Sequence, residues 1–454
     1  PSYRSPMFSG LPRFITVQAD GKVLAAVASN DGEGIDTVAR LNFDGTVDPT
    51  FRIPEFDEPF GAIFAPIVVD ASGRILIGGT FTRVNGVLRP NVARLNADGT
   101  LDPSFAPAGF VTNGNGTQVR GIALQTQGAN AGKILVAGGS FTISGANRPV
   151  FRLNDDGSLD TSFTLTTQAE AGMSARPRLL NLVSATDDRF TIIGGAITRF
   201  NADGTFDNTF SRVALSAESF WMETLADGSV LAPVERGTTI NGTAGSGLVR
   251  FGPAGTRDTA FAPAFQHEAF GNRIAVQPDS RVLFAGAFDS VNGVARPALA
   301  RFDARGVLDA FALPAIPNLL GLEAIALRSD GRILAGVVTG ANAAAPGLIM
   351  PQLFNADGSA NASYVFDVAT AAALSESGSS AQILPDDRVL VSSHTAQRVL
   401  NGSAFLARIN ADGTRDTAYS GFGDTNFGAV YRGASNQVSQ IVAGAFQVIG
   451  HYPD

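Results

Sequence analysis

The side chains best suited to acid–base or metal chemistry are few. The chain has three histidines, His267, His394 and His451, and no cysteine. His267 stands beside Glu268 in the run AFQHEAF. A His–Glu pair on a loop can exchange protons near neutral pH. No third group stands at triad or metal-ligand spacing from any of the three histidines, so a solvated loop is the better reading. The lack of cysteine excludes disulfides, thiol nucleophiles and thiolate-bound metals. No nucleophile elbow or dinucleotide fingerprint occurs in its proper context. The glycine-rich stretch Val111 to Gly121 lacks the lysine and the following helix of a phosphate loop. Trp221, the one tryptophan, could stack on a sugar ring, but it opens an apolar segment, where core packing is the simpler role. No catalytic residue and no enzymatic activity are expected.

Arginine and aspartate are different, because they recur in register. A glycine returns at Gly45, Gly99, Gly157, Gly204, Gly255, Gly306, Gly358 and Gly413, at intervals of 47 to 58 residues. Five residues before it stands Arg40, Arg94, Arg152, Arg199, Arg250, Arg301 or Arg408. Three residues after it stands Asp48, Asp102, Asp160, Asp207, Asp258, Asp309 or Asp416. Six residues after it comes an aromatic, from Phe51 and Phe105 to Tyr364 and Tyr419, with Phe311 one position early. These residues offer two chemistries besides a structural one. The arginines could line an anionic ligand channel, and the Asn-x-Asp-Gly turns could offer oxygens to calcium. Calcium takes about six to eight oxygens, and an EF-type loop closes on a glutamate that is missing here. Ordinary turn chemistry accounts for the Asn, Asp and Gly. No cofactor is expected, with calcium as the weaker alternative.

The elements around these residues can be read from the pattern. Between the glycine turns lie segments such as ITVQADGKVLAA (Ile15 to Ala26) and IAVQPDSRVLFAGAF (Ile274 to Phe288). Each is an apolar strand, an Asp/Gly-type turn and a second apolar strand ending in small residues, which is a hairpin signature. Nine such hairpins can be traced, the weakest being Asn181 to Gly195 and Val430 to Phe446. Each period then supplies strands a and b of the hairpin, strand c (NVARLN) and strand d (LDPSF). No helical periodicity competes. Four antiparallel strands per repeat of this length make a propeller blade. The expected fold is all-β: a β-propeller of eight, or nine, four-stranded antiparallel blades, one domain over residues 1–454. Pro1-Ser2-Tyr3 matches Pro103-Ser104-Phe105, so the chain opens in a strand d. It begins without Met, which fits a native chain longer at either end.

The c–d turn fixes a register. In Asn96-Ala97-Asp98-Gly99-Thr100 a type I turn is followed by glycine in the left-handed region. Leu95 then faces Leu101, and Arg94 faces Asp102. Residues paired in this way project from the same side of the sheet, so the repeated Arg and Asp should form a cross-strand ion pair. The seventh copy has Leu353 and Asn361 instead, and both charges vanish together. A buried charge without its mate is costly, so joint loss favours a structural pair over a channel lining.

Charge and hydropathy limit the partners. The net charge is −8 and no basic stripe is present, so no nucleic-acid partner is expected. No apolar run is long enough to span a membrane, and no signal peptide is visible.

The pattern ILVAGGSF…NRPVFRLNDDGSLDTSF (Ile134 to Phe163) resembles the delta-60 repeat, and the resemblance extends over nearly the whole chain. That family implies a β-propeller in large, mostly bacterial, secreted or surface-associated proteins, and it brings no catalytic residues. The layout is also similar to kelch blades, with Phe or Tyr where kelch has Trp.

In such a blade the a–b and c–d turns emerge at one face. That face should be acidic, with Asp20, Asp44, Asp98, Asp203, Asp330 and Asp412. The b–c and d–a connections emerge at the other and vary in sequence, as in TRVNGVLRP (Thr82 to Pro90) against RGTTINGTAGSG (Arg236 to Gly247). Recognition belongs to loops on a rigid scaffold. The expectation is a non-enzymatic scaffold or interaction module of a secreted or cell-surface bacterial protein, holding a protein or glycan partner on the variable-loop face. The alternative is a carbohydrate-binding or carbohydrate-active propeller of lyase or hydrolase type.

Overall fold

The computed structural model describes residues 11–28, 37–57, 67–112, 118–139, 141–163, 178–182, 188–193, 195–216, 222–225, 227–234, 237–245, 247–266, 273–328, 330–339, 348–364, 380–384, 386–393 and 405–419. Pro1 to Tyr3, the hairpin Val430 to Phe446, Trp221 and all three histidines lie outside them. The chain is all-β. One 3₁₀ turn, Gly128–Asn130, is the helical element among the described residues.

Strands a, b and c form an antiparallel sheet in each of eight successive units among the described residues. In unit two they are Val68–Val69, Ile75–Gly78 and Val92–Leu95. In unit three they are Gln118–Leu124, Ile134–Gly139 and Val150–Leu153. The weak hairpin of unit four is present as Arg178–Leu182 paired with Phe190–Ile193. Unit eight comprises Ser380–Ile383, Val389–Ser393 and Phe405–Ile409.

Strand d differs from the expected extended strand. It meets strand c at a single bridge, such as Leu95↔Leu101 or Leu153↔Leu159. The cause is local. Asp102 Oδ1 accepts hydrogen bonds from the Ser104 amide at 2.9 Å and its hydroxyl at 2.6 Å, and the Phe105 amide donates back to the Asp102 carbonyl. This side-chain-capped turn competes with sheet extension, and Pro103 has no amide proton to pair.

Strand b is buried on both faces, and its alternation explains the core. Ile75 and Ile77 pack on Leu24 and Val38 of unit one, while Leu76 packs on Val119, Ile134 and Val136 of unit three. A continuous apolar run is what a strand covered on both sides requires. The core is therefore a series of clusters, each between two consecutive units. One of them joins the first and last units: Val23 and Leu41 pack against Leu384, Leu390 and Tyr419.

Candidate functional site

Unit two shows what the repeated charges do. Arg94 Nε lies 2.7 Å from Asp102 Oδ2, with both side chains buried. The guanidinium lies over the Phe105 ring, 4.9 Å from its centroid. Its Nη1 donates to the Asp155 carbonyl, 2.6 Å away in the c–d turn of unit three. The arginine thus binds its own aspartate, its own aromatic and the next unit's turn.

The same arrangement recurs around the chain. Arg40 pairs with Asp48 and donates to Ala97 O. Arg152 pairs with Asp160 and donates to Ala202 O. Arg250 pairs with Asp258 through Nη2 and donates to Ala304 O. Arg301 pairs with Asp309 and donates to Ala356 O. Arg199 pairs with Asp207, but its inter-unit bond goes to Gly228 O, in the a–b turn of unit five. Arg408 pairs with Asp416 and donates to Phe43 O of unit one.

The turn glycine serves the same junction. Gly99 has φ +84°, and a Cβ there would lie 2.2 Å from Arg52 O and 2.9 Å from the Phe51 ring of unit one. Phe51, Phe163, Phe261 and Phe311 are each held between their own arginine and the next unit's glycine turn.

Two members of this network are not evident from the Arg–Asp register. A second cation at the start of strand b reaches the same aspartate in four units: Lys22 on Asp48, Lys133 on Asp160, Arg189 on Asp207 and Arg388 on Asp416. Burial alone would raise the carboxyl pKa values. Hydrogen bonds from Lys22, Thr50 and Arg40 overcome this and hold Asp48 well below the usual carboxylate range. Asp160 is depressed in the same way by Lys133, Ser162 and Arg152. At Asp207, hydrogen bonds from Thr209 and Arg199 overcome burial and bring the value to about 2. The other member is in unit seven. There Arg328, from the end of strand a, supplies the inter-unit bond to Ala411 O at 3.1 Å, so the loss of Arg at position 353 is met by an arginine elsewhere in the unit.

Phe43 is the aromatic at a turn position where five of the eight copies have alanine and the others Asp155 and Pro253. Both Arg388 and Arg408 lie over its ring, at 4.3 and 4.6 Å. Phe43 thus adds a ring contact to the apolar cluster that joins units eight and one.

The turn aspartates considered for calcium are engaged within their own turns. Asp98 Oδ1 accepts from the Thr100 amide and hydroxyl at 3.0 and 2.6 Å, which lowers its pKa. Asp44 and Asp412 do the same with Thr46 and Thr414. No group of three or more His, Asp or Glu suited to a metal occurs among the described residues.

At the opposite end, four b–c connections share one structure despite their different sequences. Each is a small hairpin turning at Asn85-Gly86, Ser144-Gly145, Asn241-Gly242 or Asn292-Gly293, with both residues at positive φ. Three asparagines also clasp the preceding unit's d–a connection. Asn85 Oδ1 accepts from the Glu55 amide at 2.8 Å, and the Asn85 amide donates back to Glu55 O. Asn241 pairs likewise with Ala214, and Asn292 with Ala264. The Asn-Gly dipeptide is a strong hairpin signal, so these elements were open to a sequence reading. The hairpins hold apolar side chains out in solvent: Val87 is 44% exposed, Leu88 58% and Val294 45%.

Glu223, on strand a of unit five, is the described carboxyl group raised furthest. Burial pushes it to about 7. The His267–Glu268 pair lies outside the described residues.

Five segments, residues 18–51, 71–105, 132–163, 191–210 and 277–311, match the family model described as a domain of unknown function (DUF5122) β-propeller. The chain is all-β, and these five segments are similar to the β-propeller repeats of that family. No curated protein matches it. Among solved structures it is similar to a eukaryotic initiation factor at 13% identity and TM-score 0.40, covering 91% of this chain and 88% of that one. An ulvan lyase of a polysaccharide lyase family matches at 10% identity and TM-score 0.34, over 89% and 92%. The xyloglucanase from Xanthomonas campestris matches at 13% and 0.35, over 92% and 62%. Likenesses this distant carry no functional argument. No helix among the described residues is long and apolar enough to cross a membrane.

Proposed function

We propose that the chain is a single propeller of eight blades, closed between its eighth and first units. Its role is that of a non-enzymatic scaffold or interaction module of a secreted or cell-surface bacterial protein. A protein or glycan partner binds on the face of the b–c and d–a connections. One contrast carries this reading. The seven Arg–Asp pairs are spent on their own aromatic or the neighbouring unit, whereas the opposite end presents four ordered hairpins with exposed Val87, Leu88 and Val294. The delta-60 resemblance supports the location.

A glycan array screened with and without calcium, with turnover assayed on the same polysaccharides, tests the reading. The wild type is compared with V87S/L88S/V294S and with D98N/D203N. Binding without turnover, lost in the hairpin variant and kept in the turn variant, is the expected result. Turnover of any polysaccharide overturns the scaffold reading, and loss of binding in the turn variant alone overturns the choice of face. A carbohydrate-active propeller is the second reading. Glu223 favours it, because a half-buried carboxyl group whose pKa desolvation raises to about 7 can act as a general acid.

A further inference from the structure

The junction between units seven and eight holds a buried cation to which no carboxylate is hydrogen-bonded. In each other described unit the guanidinium that binds the next unit is matched by an aspartate, at 2.6 to 3.0 Å. In unit seven Leu353 and Asn361 occupy those two positions. Arg328 makes the inter-unit bond through Nη1 alone. It is 2% exposed, and its Nε and Nη2 are buried without a hydrogen-bond partner. The nearby carboxylates are committed elsewhere: Arg332 Nη2 lies 2.5 Å from Asp330 and 3.6 Å from Asp387. Asn361 is turned to its own loop, donating to Asn355 Oδ1 at 2.9 Å and accepting from the Ser363 amide. Beside the cation, with its ring centroid 5.9 Å from the guanidinium carbon, is Tyr364. Its hydroxyl is also buried and unpaired, at a place where most units have phenylalanine.

Leaving a buried guanidinium uncompensated is among the more expensive things a fold can do. Burial lowers the Arg328 pKa despite the pull of Asp387, but an arginine stays charged at neutral pH. Buried N–H and O–H donors with no acceptor among them call for an acceptor that carries negative charge.

We propose that the junction of units seven and eight binds a small monovalent anion of the halide class on Nε and Nη2 of Arg328, in place of the missing aspartate. The anion binds the folded state, so it stabilises by mass action. The site lies under the a–b and c–d turns, apart from the b–c and d–a connections proposed to hold a partner.

The probe is chloride. Melting temperature is measured in sodium chloride and in sodium gluconate at equal ionic strength, for the full chain, for Arg328→Gln and for Asn361→Asp. Wild type should melt about 2 °C higher in saturating chloride than in gluconate. Asn361→Asp carries its own carboxylate and should lose the difference. It should also melt above wild type in gluconate, so this arm does not depend on a damaged variant. Arg328→Gln should melt equally in both salts. Bromide soaked into crystals should give an anomalous peak beside Arg328. Equal melting of wild type in the two salts would overturn the proposal, with water then satisfying the donors. So would an equal chloride response in wild type and Asn361→Asp.

Discussion

Removing Asp102 should strand a buried cation, and removing Arg94 with it should relieve most of the damage. Arg94 and Asp102 side chains are 2% and 6% exposed. Breaking such a pair from one side costs about 3–5 kcal/mol. Asp155 Oδ1 lies 2.6 Å from Arg94 Nη1 and remains as a partly compensating charge, which brings Asp102→Asn to about 3 kcal/mol, the low end of that range. Arg94→Leu leaves a carboxylate still bound by Ser104 and costs a similar amount, about 3 kcal/mol. The double variant R94L/D102N copies the Leu353 and Asn361 of unit seven. It buries no unmatched charge and loses mainly the bond to Asp155 O and the contact with Phe105, about 2–3 kcal/mol together. The coupling is therefore about 3 kcal/mol. Urea unfolding followed by circular dichroism measures it. Additive effects, with the double variant near 6 kcal/mol by the sum of those single costs, would refute the claim that the pair exists to neutralise itself inside the junction.

Phe43→Ala removes two arginine–ring contacts at a half-exposed site, worth about 1–2 kcal/mol together; hydrogen exchange should quicken in strands of units one and eight and stay unchanged in units three to six. Depressed carboxyl groups stabilise the fold above their unfolded pKa, and that stability is lost as pH falls through the folded values. Melting temperature should therefore drop between about pH 4 and pH 2, and Asp207→Asn, whose parent sits at about 2, should flatten part of that drop. Glu223 has the opposite sign: its raised pKa, about 7, costs stability as pH rises from the unfolded value through 7. Glu223→Gln should remove that slope, and a slope unchanged from wild type would show the carboxyl group to be solvated. Gly99→Ala places a side chain at φ +84° and against Arg52 O; it should cost at least about 2 kcal/mol, and a neutral effect would mean that the unit-one aromatic does not seat under this turn.

The parts of the fold that are legible in the sequence are those fixed within one repeat. A glycine at positive φ pins the c–d turn, and the Leu95–Leu101 bridge and the Arg94–Asp102 pair follow from two-residue alternation. The unbroken apolar run of strand b reflects burial against two neighbours. Contacts between repeats are harder to read, because nothing local says which carbonyl will lie opposite Arg94. Arg328 is hidden because it serves its junction from strand a, where other units have residues such as Gln125 or Leu225. Strand d is shorter than its sequence pattern suggests because Asp102 caps its own turn instead of letting the chain run straight. The Asn-Gly hairpins carry a plain signal that is masked by the variety of the residues around it.

Closure between units eight and one is the central structural claim. The chain has no cysteine, so a pair introduced as Asp44→Cys and Asp386→Cys reports cleanly. Both positions are exposed, and they flank the junction where Arg388 covers Phe43 at 4.3 Å. A short bifunctional maleimide should link the pair within one monomer in high yield, as peptide mapping would show. Links formed only between molecules, or none at all, would contradict the closure and with it the count of eight.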